Sequence, residues 1–206
     1  DPARATVDDA VTVTLTVSAS DACARFRRPR RAMVVLQPPR PTEPRDGATR
    51  LADAFAAAVL DGGGRVGIAI AGPRQPEPLA PTDDRLAVRI RLEAARAHDP
   101  ARFPGSTGPD AVDAALGAIP RDVGFHDAVY YVAHRDSLLG LPERWVATRE
   151  RAARAGIELV LVCLGGGCDP TAAWDWQGAD LGELADAVAG SLVAARPVLE
   201  RTVAAV

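Results

Sequence analysis

Four short apolar runs, each set apart by a helix-length stretch, constrain this chain more than any other feature. They are Arg31-Ala-Met-Val-Val-Leu36, Arg65-Val-Gly-Ile-Ala-Ile-Ala71, Ala128-Val-Tyr-Tyr-Val-Ala133 and the segment from Ile157 to Leu164. Each is shorter than a typical helix and apolar at successive positions, which marks a strand buried on both faces. Such strands, alternating with helices, call for an α/β, Rossmann-like architecture: a mainly parallel central sheet with helices on both faces.

The intervening stretches supply the helices. Residues 49–60 place Leu51, Phe55, Ala58 and Val59 on one face, and Asp61-Gly-Gly-Gly64 stops the helix. Thr82-Asp-Asp caps a helix over 84–97, in which Leu86, Ile90 and Ala94 are spaced helically. Pro109–Ile119 is a short helix with Pro near its start, and 142–156 is a helix ending on Gly156. A helix over about 181–192 and an amphipathic stretch close the chain. The Pro-rich residues 73–81 read as a loop. In front stands an extra N-terminal strand, Val11–Val17, which alternates strictly between apolar residues and Thr and so suits an edge or outer position. The organisation expected is residues 1–30 as that strand and an Arg/Pro linker, then 31–206 as the main domain.

Composition narrows the function classes. The chain has 206 residues, 48% of them hydrophobic, enough for one compact core. A formal charge of -3 implies neither an acidic nor a basic partner. All 24 basic residues are Arg, which we read as codon bias in a GC-rich, bacterial genome. They are spread along the chain and leave no nucleic-acid footprint. The dense group Arg25, Arg27, Arg28, Arg30 and Arg31 is expected to be a solvated linker. No apolar run approaches the roughly 20 residues needed to cross a bilayer. Cys23, Cys163 and Cys168 are an odd count and make no disulfide framework, which points to the cytoplasm. The sequence opens with Asp1 rather than Met, so an upstream segment has been removed or left out, and export stays open as an alternative. A Cys163–Cys168 disulfide would accompany secretion. His98 and His126 sit among loop residues and are expected to face solvent.

The order of the pieces carries a resemblance. Gly64-Arg-Val-Gly-Ile-Ala-Ile70 is similar to the second strand of von Willebrand factor A (vWA) domains. Gly105-Ser-Thr-Gly-Pro-Asp-Ala-Val-Asp-Ala-Ala-Leu116 resembles that family's Gly-x-Thr segment and following helix. Ala152 to Val162 resembles its helix-to-strand passage, and Leu181 to Ala187 its late helix. The likeness covers roughly residues 31–190. It implies a vWA-like fold and a metal-ion-dependent adhesion site built from oxygen donors, as a hard cation requires.

That site is degenerate here. The Asp-x-Ser-x-Ser positions fall on Gln37, Pro39 and Pro41; the Thr survives as Thr107; the late Asp falls at or near His134, with Arg135 beside it. Proline has no side-chain ligand, and an adjacent Arg disfavours a cation. The implied protein is a non-catalytic interaction module or adaptor, without cofactor or metal, serving as a subunit of a bacterial multi-protein system. Its partner-binding residues would be Gln37, Arg40, Thr107, His134, Arg135, Trp174 and Trp176, with Arg144 on the same rim. Trp174-Asp-Trp176 enters as an aromatic anchor, since Trp is enriched at interface hot spots; covering the sheet edge is the competing role. The partner expected is another protein, not nucleic acid or membrane.

Two alternatives stay open. His134 and Cys163 end successive core strands, which resembles the dyad of caspase-like cysteine proteases, in which His activates a thiolate. Against it, Arg135 stands where a Gly would, and Cys163 lies inside an apolar strand. A metal-dependent adhesion module with substitute ligands Thr107, Asp136 and Asp169 is the other. The Gly62–Gly64 and Gly165–Gly167 runs match no phosphate-binding fingerprint and read as turns; Cys163 and Cys168 lack a second ligand pair for zinc.

Overall fold

A computed structural model describes residues 12–15, 29–37, 47–72, 77–97, 108–122, 124–134, 142–164, 175–178 and 201–204. In chain order the elements are β1 Thr12–Leu15, β2 Arg30–Leu36, α1 Gly47–Asp61, β3 Arg65–Ile70, β4 Leu79–Thr82, α2 Arg85–Ala97, α3 Gly108–Ala118, β5 His126–His134, α4 Pro142–Arg154, β6 Glu158–Leu164, β7 Trp176–Gly178 and β8 Arg201–Ala204. The chain divides into two compact units, residues 28–192 and residues 1–27 with 193–206.

The larger unit holds a six-stranded sheet in the order β4-β3-β2-β5-β6-β7. All its pairings are parallel except β3 with β4. The four apolar runs are its centre, β3-β2-β5-β6, as their two-sided apolar character requires. On one face Val34, Leu36, Ile68, Tyr130, Val132 and Val162 join Leu51, Phe55 and Val59 of α1 and Val88 and Leu92 of α2. On the other, Met33, Val35, Val129, Tyr131 and Leu161 join Ala111, Val112 and Ala115 of α3 and Trp145 of α4. Full burial of one such large side chain contributes about 1.5–3 kcal/mol, so these two layers dominate the favourable side of folding.

Local signals set the helix ends. Asp84 caps α2: its Oδ1 accepts from the N–H groups of Leu86 (2.9 Å) and Ala87 (3.1 Å). Gly156 follows α4 at φ +71°, and the Ile157 N–H returns to the Ala152 carbonyl at 2.9 Å. That left-handed closure is cheap only for glycine.

Several expectations change. The buried stripe of α2 is Val88, Leu92 and Ala95, whereas Leu86 and Ile90 are 65% and 62% exposed. Both stripes have helical spacing, and periodicity alone could not choose between them. β4 forms within the stretch read as loop, tolerating Pro81 because it is an edge strand. The extra strand β1 pairs antiparallel with β8, for which the sequence reading had no strand, in the smaller unit. The closing helix expected over 181–192 lies outside the described residues.

Arg30 and Arg31 correct the linker assignment more sharply, since they are the first residues of β2. Arg31 is wholly buried. Its Nε and Nη2 donate to the two Asp127 carboxylate oxygens at 2.7 and 3.0 Å, and Nη2 donates to the Pro120 carbonyl at 2.7 Å. Nη1 donates to Asp122, and the guanidinium lies 4.9 Å from the Phe125 ring centroid. The Asp127 hydrogen bond keeps Arg31 more firmly protonated against the opposing effect of burial, and the Arg31 contact holds the Asp122 carboxyl below its usual range. Arg30 donates to the Tyr130 hydroxyl. His126, expected in a loop, opens β5, and its half-exposed ring lies 3.2 Å from Glu158. These groups occupy the amino-terminal end of the sheet, opposite the candidate site.

Candidate functional site

Parallel strands deliver their carboxyl ends to one edge of the sheet, and helix amino termini gather there. Leu36, Val132, Val162 and Trp176 lie in one row across β2, β5, β6 and β7. Gln37 continues β2 beyond that row, its N–H donating to the Val132 carbonyl at 2.9 Å. α1, α3 and α4 begin beside this edge.

Gln37, expected from the sequence to stand at the first position of a vWA-like ligand motif, has its side chain engaged inward. The Tyr131 hydroxyl donates to Gln37 Oε1 at 3.0 Å. Tyr131 is completely buried, and desolvation pushes its phenol pKa upward, so it stays a neutral donor. Its ring meets Trp145 at 4.9 Å between centroids with a 55° tilt. Both rings pack on the first residue of α3. A Cβ at Gly108 would lie 2.6 Å from the Tyr131 hydroxyl and 2.9 Å from the Trp145 ring. Trp145 is buried too, and its indole nitrogen has no acceptor among the described residues.

The other expected residues divide into two groups. His134 is the last residue of β5, in register with Leu164; Trp176 is the first of β7, in register with Val162. The sheet thus brings Gln37, His134 and Trp176 to one edge. Arg40, Thr107, Arg135 and Trp174 lie outside the described residues, as do Pro39, Pro41, Asp136 and Asp169. Arg144 is committed to an ion pair with Asp110 in the first turn of α3. Among the described residues no cluster of three or more His, Cys, Asp or Glu side chains is suited to a metal ion.

In Trp174-Asp-Trp176 the central acid has a structural role. Asp175 Oδ2 accepts from the Leu161 N–H at 2.7 Å, and the Asp175 N–H donates to the Leu161 carbonyl at 3.0 Å. Arg149 of α4 also reaches Oδ2, at 2.9 Å. Asp175 therefore extends the β6–β7 ladder by one step with its side chain and ties it to α4.

Cys163 pairs in register with Ala133, one position before His134. It is fully buried and disulfide-bonded. A disulfide sulfur is no thiolate, so the dyad lacks its nucleophile in this state.

Sequence reasoning missed Tyr131, Trp145, Gly108 and Asp175. Tyr131 was visible only as part of an apolar run. Trp145 carried one weak sign, an aromatic in the first turn of a helix that must cover the sheet.

A mainly parallel sheet of this order, with two of the described helices on each face, is a vWA-like α/β fold. No sequence-family model and no curated protein sequence matches the chain. Solved structures do. The conserved hypothetical protein BatB from Bacteroides thetaiotaomicron superposes with a TM-score of 0.62 at 12% identity, over 80% of this chain and 97% of that one. An aerotolerance-related membrane protein from Bacteroides fragilis gives 0.61 at 14% identity, over 80% and 98%. The SpRpn10 VWA domain gives 0.55 at 10%, over 80% and 93%. Among the described residues no helix is long and apolar enough to cross a membrane.

Proposed function

We propose that this chain is a protein-interaction module that engages its partner through the carboxyl edge of the sheet without a bridging metal. Gln37 carries the proposal. A hard divalent cation asks for charged or well-placed neutral oxygen donors. Gln37 offers a neutral amide whose oxygen is already held by the Tyr131 hydroxyl, and Pro39 and Pro41 have no side-chain oxygen. This donor set does not fit such an ion. Arg40, Thr107, His134, Arg135, Trp174 and Trp176 would instead supply polar and aromatic contacts, consistent with an adaptor or subunit of a bacterial multi-protein system.

The test is an affinity pull-down from lysate of the native organism, with and without EDTA, read by mass spectrometry. A specific partner retained in EDTA and lost in Trp174→Ala, Trp176→Ala and Arg135→Glu variants supports the proposal. A partner released by EDTA overturns the metal-free reading. Retention by all three variants moves the interface elsewhere.

A further inference from the structure

We propose that the disulfide partner of Cys163 is Cys168, and that this bond clamps the start of the β6–β7 connection in a chain that matures in an oxidising compartment. Cys163 is the penultimate residue of β6, fully buried and disulfide-bonded. Only two other cysteines exist. Cys168 is five residues from Cys163 and Cys23 is 140 residues away, so the shorter ring costs less chain entropy to close. Cys168 follows Cys163 after Leu164-Gly165-Gly166-Gly167. A disulfide brings its two Cα atoms to about 4.4–6.8 Å, so the chain must reverse sharply between them. Three successive glycines permit that reversal without side-chain obstruction.

Topology gives the ring a purpose. β7 runs parallel to β6, so the chain leaving Leu164 must turn back to begin again opposite Val162. Asp175 pins the far end of that connection through Leu161 and Arg149. The disulfide would pin the near end.

Formation needs an oxidant, which would be a disulfide-bearing molecule such as glutathione disulfide or a protein dithiol oxidase. One cysteine thiolate attacks the oxidant's S–S bond and releases a thiolate; the second cysteine, deprotonated, displaces the remaining sulfur. Two protein thiols and one disulfide thereby become one protein disulfide and two thiols. Such a bond persists outside the reducing cytosol, contrary to the cytoplasmic expectation from the odd cysteine count.

The clamp is independent of the partner-binding proposal and is tested without a partner. The full chain is produced in an oxidising compartment, blocked in denaturant with N-ethylmaleimide, digested with trypsin and weighed without reduction. The expected result is N-ethylmaleimide on Cys23 alone and peptide 155–201 lighter by two hydrogens, a difference abolished by reductant. In Cys168→Ser, Cys163 should become labelled as well. Labelling of all three cysteines in the parent chain, a crosslink between the peptides of Cys23 and Cys163, or a Cys163 still protected in Cys168→Ser would each overturn the assignment.

Discussion

Replacing Asp127 with alanine should destabilise the protein more than replacing Arg31 itself. Asp127 grips a guanidinium that has no exposure through both carboxylate oxygens, with hydrogen bonds at 2.7 and 3.0 Å. Removing one partner of a buried ion pair costs about 3–5 kcal/mol, because the other is stranded. Asp122 and the Pro120 carbonyl still hold Arg31 in Asp127→Ala, which puts this variant at the low end, about 3 kcal/mol. Arg31→Met removes the buried charge and keeps most of the side-chain volume. The carboxylates it leaves behind are 21% and 52% exposed and can be hydrated. The Pro120 and Asp122 carbonyls also lose a partner, but both residues are exposed and open to water, so the cost is about 1–2 kcal/mol. The double variant carries no buried charge and should resemble Arg31→Met, at about 2 kcal/mol, giving a coupling of about 2–3 kcal/mol. Urea unfolding of all four proteins, followed by far-ultraviolet circular dichroism and tryptophan fluorescence, reads these differences. Arg31→Met proving as costly as Asp127→Ala, or the double variant equalling the sum of the singles, would refute the reasoning.

Three further outcomes are expected. Gly108→Ala should cost about 1–3 kcal/mol by overpacking against Tyr131 and Trp145, lowering the thermal midpoint and changing near-ultraviolet dichroism from the two rings. Asp175→Ala strands the Leu161 N–H and should cost about 1–3 kcal/mol, with hydrogen exchange rising first at Leu161 and along β7. Arg31 holds the Asp122 carboxyl below its ordinary value of 3.8. Its stabilising contribution is therefore full above that value and is lost as pH falls through the lower folded one. Acid titration of Asp122→Asn should show a flatter loss of stability below about pH 4, and an unchanged acid limb would refute the assignment.

The central strands were legible because burial on both faces leaves an unbroken apolar run, as in Leu159–Leu164. The helix stops were legible because Gly156 and Asp61–Gly64 act on their own neighbours. Arg31 was misread for the opposite reason: its partners Asp122 and Asp127 stand some ninety residues away, and no local signal distinguishes a charge entering a sheet from one in a linker. β7 escaped notice because three residues carry no period, and what holds them is a side chain, Asp175, acting as backbone. At the site, Gln37 could be singled out because it directly follows an apolar strand at its carboxyl end. Gly108 and Trp145 could not, since their importance lies in a contact with Tyr131 across the fold.

The two border strands have a consequence for how this protein behaves when crowded. A sheet invites another chain wherever a row of amide and carbonyl groups lies open along its margin. Here one margin is β4, four residues long with Pro81 among them, which removes a donor from any would-be ladder. The other is β7, only three residues long. Neither margin offers an annealing template of useful length, so the sheet should resist stacking into fibres even though its centre is rich in valine and isoleucine.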